Sequence, residues 1–285
     1  MNKLRYLLKR TPLVTATVTL IIAFIILLTI PTDGSVLQNL RQEILLTLLT
    51  LALMTGIDGI QLIKYKKSGI TFTFRKSILY LLPGFLLSGA TIISAISSKE
   101  NVQDNWLILV IEAMIFYLLL GLFEEGLFRG IILHAFLDKL GSTRKGLISA
   151  VAISGFIFGF VHIVLSWLLT GIDLSVTGLM QAFLKTLSAG MAGFFFGAIY
   201  LKTKNLWGIA LVHGLSDFLM MLGALLFSGS NSVTFISSDS TQASSSMLIN
   251  IIFIIVYVPL VISALKQLKS IELPEMGFYN ENWKS

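Results

Sequence analysis

The feature that most constrains this chain is a series of apolar runs, of which 11–30 and 247–265 are clear examples. Each reaches the ~20 residues that a helix needs to cross the hydrocarbon core of a bilayer. Eight candidates can be drawn, at about 11–30, 43–63, 78–96, 106–133, 147–168, 179–201, 206–227 and 247–265. The loops between them, such as 97–105 and 228–246, are short and polar, and none holds a soluble domain. Of 285 residues, 55% are hydrophobic and 13% charged, against roughly a quarter charged in a soluble domain. Strand-like alternation is absent, which argues against a membrane β-barrel. The expected fold is all-α: a polytopic membrane helix bundle of about eight transmembrane helices. Residues 1–105 supply the first three, 106–227 a central core, and 228–285 an extracytoplasmic loop, the last helix and a tail.

The formal net charge of +6 finds its explanation in topology. With the N-terminus in the cytoplasm, Lys3, Arg5, Lys9 and Arg10 fall there. So do Lys64, Lys66, Lys67, Arg75 and Lys76 of the second-to-third loop, then Lys139, Arg144, Lys145, Lys202, Lys204, Lys266, Lys269 and Lys284. That is seventeen of the 21 Lys and Arg residues, as the positive-inside rule requires. Both termini are therefore expected in the cytoplasm. A nucleic-acid partner would need a basic face on a soluble domain, and none is expected. The chain has no cysteine, which excludes disulfides, zinc-thiolate sites and a cysteine nucleophile. The first apolar run follows basic residues as a secretory signal does, but it is long and closes on Thr29-Ile30-Pro31 without a small-x-small cleavage site. It is expected to stay as an anchor.

Against this apolar background, a few ionisable residues stand out, because at lipid depth they are costly and normally face a bundle interior or a water-filled cavity. Two of the three histidines fall in spans: His162 in Phe158-Gly-Phe-Val-His162 and His213 in His213-Gly-Leu-Ser-Asp217. A third group, Glu124-Glu125-Gly-Leu-Phe-Arg129, lies late in the fourth span. Glu125 and Arg129 are four apart and share a helix face, in the favourable order for an ion pair. Glu124 is rotated by about 100° and left for another task. His213 and Asp217 are also four apart and can point into one cavity. A single membrane histidine is more often a packing or hydrogen-bonding residue, but four polar groups at one depth would be expensive without a purpose. Glu112 and Lys185 stand isolated and receive no role, and Asp58 is expected at the interface.

Common depth requires the fourth helix to run past the membrane surface. Its pattern continues through Leu133, Phe136 and Leu140 to a break at Gly141-Ser-Thr, a glycine stop followed by a new N-cap. In a hairpin turning there, Glu124 and His162 stand almost level. Residues 106–140 at ~1.5 Å each make about 50 Å of helix, so the hairpin must tilt or protrude into the cytoplasm.

EExxxR in one span, FxxxH in the next and HxxxN/D in a later one resembles the motif set of the CPBP family, the CAAX proteases and bacteriocin-processing proteins. The resemblance rests on Glu124, Glu125, Arg129, Phe158, His162, His213 and Asp217 and covers roughly 111–220. It implies a glutamate-dependent intramembrane endopeptidase, similar to type II CAAX prenyl endopeptidases, whose site opens to the cytoplasmic side. Glu124 would activate water with His162 hydrogen-bonded to it, while His213 and Asp217 stabilise the oxyanion. Glu125, Arg129 and Phe158 would support them. A carboxylate in a dry bundle suits a general base. An ionised Asp217 only accepts hydrogen bonds, unlike the asparagine of other members, so it could instead orient His213. No cofactor is expected. The competing account is zinc held by Glu124, His162 and His213, a His2Glu set, although no HExxH is present, nor GxGD or GxSG. A proton-coupled transporter or a bacteriocin-immunity, partner-binding protein stays open, since buried ionisable groups also mark proton relays. The expected partners are the lipid bilayer and a membrane-associated peptide or protein substrate, and the expected location is the plasma membrane.

Overall fold

A computed structural model of the protein describes residues 3–30, 34–57, 59–64, 67–229 and 235–273. Asp58, Lys66 and Lys284, to which the sequence assigned positions, lie outside them. The described residues are helical, and no strand occurs among them. In chain order they form α1 (Lys3–Arg10), α2 (Pro12–Thr29), α3 (Val36–Gly56), a 3-10 turn (Gly59–Ile63), α4 (Lys67–Lys76), α5 (Ile78–Ser97) and α6 (Trp106–Glu125). A π-helical segment (Gly126–Ile132) joins α6 to α7 (Leu133–Leu140), followed by α8 (Arg144–Thr170), α9 (Val176–Thr203), α10 (Leu206–Ser228) and α11 (Ser240–Ser270).

Local chemistry starts and stops these helices. Ser35, Thr143, Ser175, Asn205 and Asp239 each accept the backbone N–H three residues on, satisfying a donor that the first helical turn leaves free. Gly171 and Gly229 follow α8 and α10 at φ +89° and +65°, where a side chain would be strained.

Among the described residues seven helices are long and apolar enough to cross a membrane, the continuous stretch Trp106–Leu140 included. The second span expected from the sequence, 43–63, is not one of them and is shifted: α3 covers Val36–Gly56 and the chain then turns. α3 is less apolar because it carries Gln38, Arg41, Gln42 and Glu43. Packing nevertheless carries it through the bundle. Thr47 Oγ1 donates to the Leu119 carbonyl, Thr50 lies against Gly126 and Met54 against Gly130, so over 47–54 α3 runs alongside the stretch Trp106–Leu140 in the same direction. Its polar face, Glu43, Thr47 and Thr50, is buried, so it need not meet lipid. Outward on the other helices stand exposed Ile21, Ile25, Phe85, Leu86, Ile93 and Ile255, the apolar belt that a bilayer solvates.

With α3 counted, the two ends of the bundle fall on one side. Single cysteines at Ser35, Ser68 and Ser240, all exposed, test the orientation in this cysteine-free chain. Ser35→Cys and Ser240→Cys are expected to react in sealed cells with an impermeant thiol reagent, and Ser68→Cys to be protected. Labelling at position 68 would invert the topology.

Two helix pairs approach closely enough that only glycine fits. Between α6 and α10, a Cβ on Gly121 would lie 2.3 Å from the Ala210 carbonyl oxygen and one on Gly214 2.2 Å from that of Tyr117. Between α8 and α9, a Cβ on Gly159 would lie 2.2 Å from the Thr186 carbonyl oxygen, and Gly155 packs on Gly190 and Gly193. Small residues at such contacts are how membrane helices gain packing without a hydrophobic drive. These two pairs bring the polar motifs together.

Candidate active site

α6 presents Glu124 and Glu125 on its last turn, immediately before the π-helical segment. A wider helical turn at such a position is a frequent companion of function. Glu125 Oε2 pairs with Arg129 Nε at 3.1 Å, and both side chains are sealed, at 0% and 1% exposure. Arg129 is held further by the Gly193 carbonyl of α9, to which its Nη2 donates at 3.0 Å. Its guanidinium also stacks over Phe158, 4.7 Å from the ring centre. The expected ion pair is therefore present, inside a cage drawn from three helices.

His213 of α10 joins this pair to the rest. Its Nδ1 lies 2.8 Å from Glu125 Oε1, and a carboxylate only accepts, so Nδ1 carries the hydrogen. Its Nε2 stands 3.5 Å from Glu124 Oε2 and 3.5 Å from Asp217 Oδ2. These last contacts are looser than a good hydrogen bond. Three carboxylates thus surround one imidazole. They differ in access: Glu124 and Asp217 keep 18% and 22% side-chain exposure, against 0% for Glu125. Of the two adjacent glutamates, Glu124 is the one turned to open space, as the spacing predicts.

That space is a cavity of about 640 Å³ lined by Glu124, His162, Lys185, His213 and Asp217. Its other walls are mostly apolar, including Phe24, Phe116 and Phe253. The hairpin expectation holds: Leu140 ends the long helix, Thr143 caps the next, and Ser154 Oγ donates to the Phe128 carbonyl. The Phe128 and Phe158 rings meet at 5.0 Å, so Glu124 and His162 come out level.

His162 sits in the cavity wall, but no hydrogen bond or ion pair joins it to Glu124 or His213 among the described residues. Its Nδ1 lies 2.8 Å from the Phe158 carbonyl oxygen of its own helix. That nitrogen must donate, so in the neutral ring Nε2 is an acceptor. The Phe158 ring stands between the two histidines, 4.9 Å from His162 and 5.7 Å from His213.

A zinc ion would need three donors around one point. Among the described residues no three His, Asp or Glu side chains are placed to hold one. Glu124, His162 and His213 therefore do not fit that ion here.

Sequence reasoning did not find the α9 contributions: Gly193, which holds Arg129, Phe196, whose ring lies 5.6 Å from His213, and Lys185 in the cavity wall. Gly190 and Gly193 recur along α9 opposite Gly155 and Gly159, and that pattern was the available signal.

No curated protein and no solved structure matches the chain. Residues 105–219 match the family described as Rce1-like type II CAAX prenyl endopeptidase. The matched segment is less than half of the chain, yet it contains Glu124, Glu125, Arg129, Phe158, His162, Lys185, Gly193, His213 and Asp217. At the level of family, the part of this membrane protein that carries the site is thus similar to CAAX-type intramembrane proteases.

Proposed function

We propose that the protein is an intramembrane endopeptidase in which Glu124 activates water against a peptide bond. The observation that carries this reading is the unequal access of two adjacent carboxylates, Glu125 sealed against Arg129 and Glu124 open to the cavity. Glu124 takes a proton from water, the oxygen attacks the scissile carbonyl carbon, and a tetrahedral oxyanion forms. Collapse breaks the C–N bond, and the proton passes from Glu124 to the leaving amine, giving a free carboxylate and a free amine. His162, with Nδ1–H on the Phe158 carbonyl, offers Nε2 as an acceptor that orients the water. His213, protonated on both nitrogens, donates Nε2–H to the oxyanion, with the surrounding carboxylates balancing its charge. Asp217, 3.5 Å from the same nitrogen, favours the charged ring by its own negative charge, a role that needs no donor. Such contacts tighten when substrate fills the site.

The substrate is an extended membrane-associated peptide or protein segment, in the plasma membrane. A mostly apolar cavity within the bundle admits a chain in contact with lipid and excludes a folded soluble protein. A prenylated peptide is the case that the matched family's description names.

Comparative peptidomics of membranes carrying the parent or Glu124→Gln tests this reading. One uncleaved peptide is expected to accumulate only with Glu124→Gln, and a chelator is expected to leave the parent's cleavage unchanged. Identical peptide profiles at equal protein levels would point to a transporter or partner-binding protein instead. Loss of cleavage on chelation would return a metal to the mechanism.

A further inference from the structure

Lys185 has no part in the hydrolysis just described, yet it stands in the same cavity wall as Glu124, His162 and Asp217. A lysine at membrane depth costs roughly 2.5–3.5 kcal/mol on insertion scales, and such residues normally pair or face a cavity. Lys185 is half-buried and forms no ion pair among the described residues. Instead its Nζ stands 4.2 Å from the centre of the Phe235 ring, in the connection between α10 and α11. The same ring lies 5.4 Å from His162. Cation–π attraction to Phe235 holds the ammonium beside the catalytic histidine.

Two polar side chains of the same cavity wall are already matched. Ser188 Oγ and Asn250 Oδ1 lie 2.6 Å apart, and Asn250 Nδ2 donates to the Ser246 carbonyl. The ammonium is thus the charge that an entering ligand meets in this part of the cavity. Asp217 and Glu124 line the same cavity without forming an ion pair with it among the described residues. The cavity therefore carries both signs of charge, the Glu124 and Asp217 carboxylates and an ammonium beside His162.

We infer that Lys185 binds a carboxylate of the peptide substrate, at the chain end or on an acidic side chain, and so sets which bond reaches Glu124. Glu124 and Asp217 repel that anion and the ammonium attracts it, so an entering peptide is aligned before the chemistry begins. The consequence for cleavage rests on the endopeptidase reading, whereas the binding does not.

Three fluorescent prenylated peptides test this with purified full-length protein in lipid nanodiscs: a free terminal carboxylate, its carboxamide, and a carboxamide ending in Glu. Binding is measured in Glu124→Gln. The free acid is expected to bind about tenfold more tightly than the plain amide, as a charge-assisted contact allows. Lys185→Gln added to that protein is expected to abolish the preference, and Lys185→Arg to keep most of it. Tight binding of the Glu-ending amide assigns the contact to a side-chain carboxylate, and tight binding of the free acid alone assigns it to the terminus. With Glu124 intact, Lys185→Gln is expected to raise KM for the acid peptide and leave kcat unchanged. Equal binding of the three peptides, binding of none, or a preference that survives Lys185→Gln would overturn the inference. A Lys185-dependent preference without cleavage in the parent would leave this site standing and remove the endopeptidase reading.

Discussion

Glu125→Gln is expected to deplete folded protein far more than it alters the chemistry of whatever still folds. Glu125 is fully buried and answers two cationic or donor groups at once, Arg129 Nε at 3.1 Å and His213 Nδ1 at 2.8 Å. Removing its charge leaves the Arg129 guanidinium sealed without a counter-ion, a loss of ~3–5 kcal/mol in buried pairs. Yield of monodisperse protein and the thermal midpoint in detergent measure it. Adding Arg129→Met is expected to restore part of the loss, because the stranded charge goes too. Normal folding of Glu125→Gln beside a misfolded Glu124→Gln would exchange the two roles.

Gly214→Ala is expected to be nearly as damaging, although it adds one methyl group. That Cβ would lie 2.2 Å from the Tyr117 carbonyl oxygen, a backbone atom that cannot rotate away. Overpacking of this kind costs ~1–3 kcal/mol, occasionally more. Relief comes by separating α10 from α6, which draws His213 away from both glutamates. Both thermal midpoint and cleavage are therefore expected to fall. Gly89→Ala on α5 is the control: nothing lies within 4 Å of its added Cβ, and alanine favours a helix by ~0.5–1 kcal/mol. Similar behaviour of the two variants would mean that the α6–α10 contact is not what holds the site.

Much of the site is legible in the amino-acid sequence, for reasons of geometry. Helical period separates Glu124 from Glu125 by about 100°, and that rotation is the difference between an open and a sealed carboxylate. The break at Gly141 sets the hairpin and with it the common level of Glu124 and His162. Elsewhere, hydropathy misleads. It draws the second span from residue 43, whereas α3 begins at Val36 and hides Glu43, Thr47 and Thr50 against its neighbours. A run of apolar residues reports contact with lipid, and a helix that buries its polar face reads as too polar to cross. Lys185 looks isolated because its partner is a ring, Phe235, some fifty residues away in sequence. The bond of His213 to Glu125 is equally hidden, since spacing relates residues within one helix and that bond joins two. The π-helical turn after Glu125 leaves only Gly126 and Gly130 as a trace in the sequence.

The central claim is that Glu124 performs the chemistry in a site whose frame does not depend on it. The most direct measurement is kcat/KM for one membrane-associated peptide, such as a prenylated one, with the parent and Glu124→Gln in matched nanodiscs. Each preparation is first brought to the same folded concentration by its thermal unfolding. A fall of ~10²–10⁴-fold is expected for Glu124→Gln, the range lost with a general base, at an unchanged thermal midpoint. Equal kcat/KM for the two proteins would contradict it.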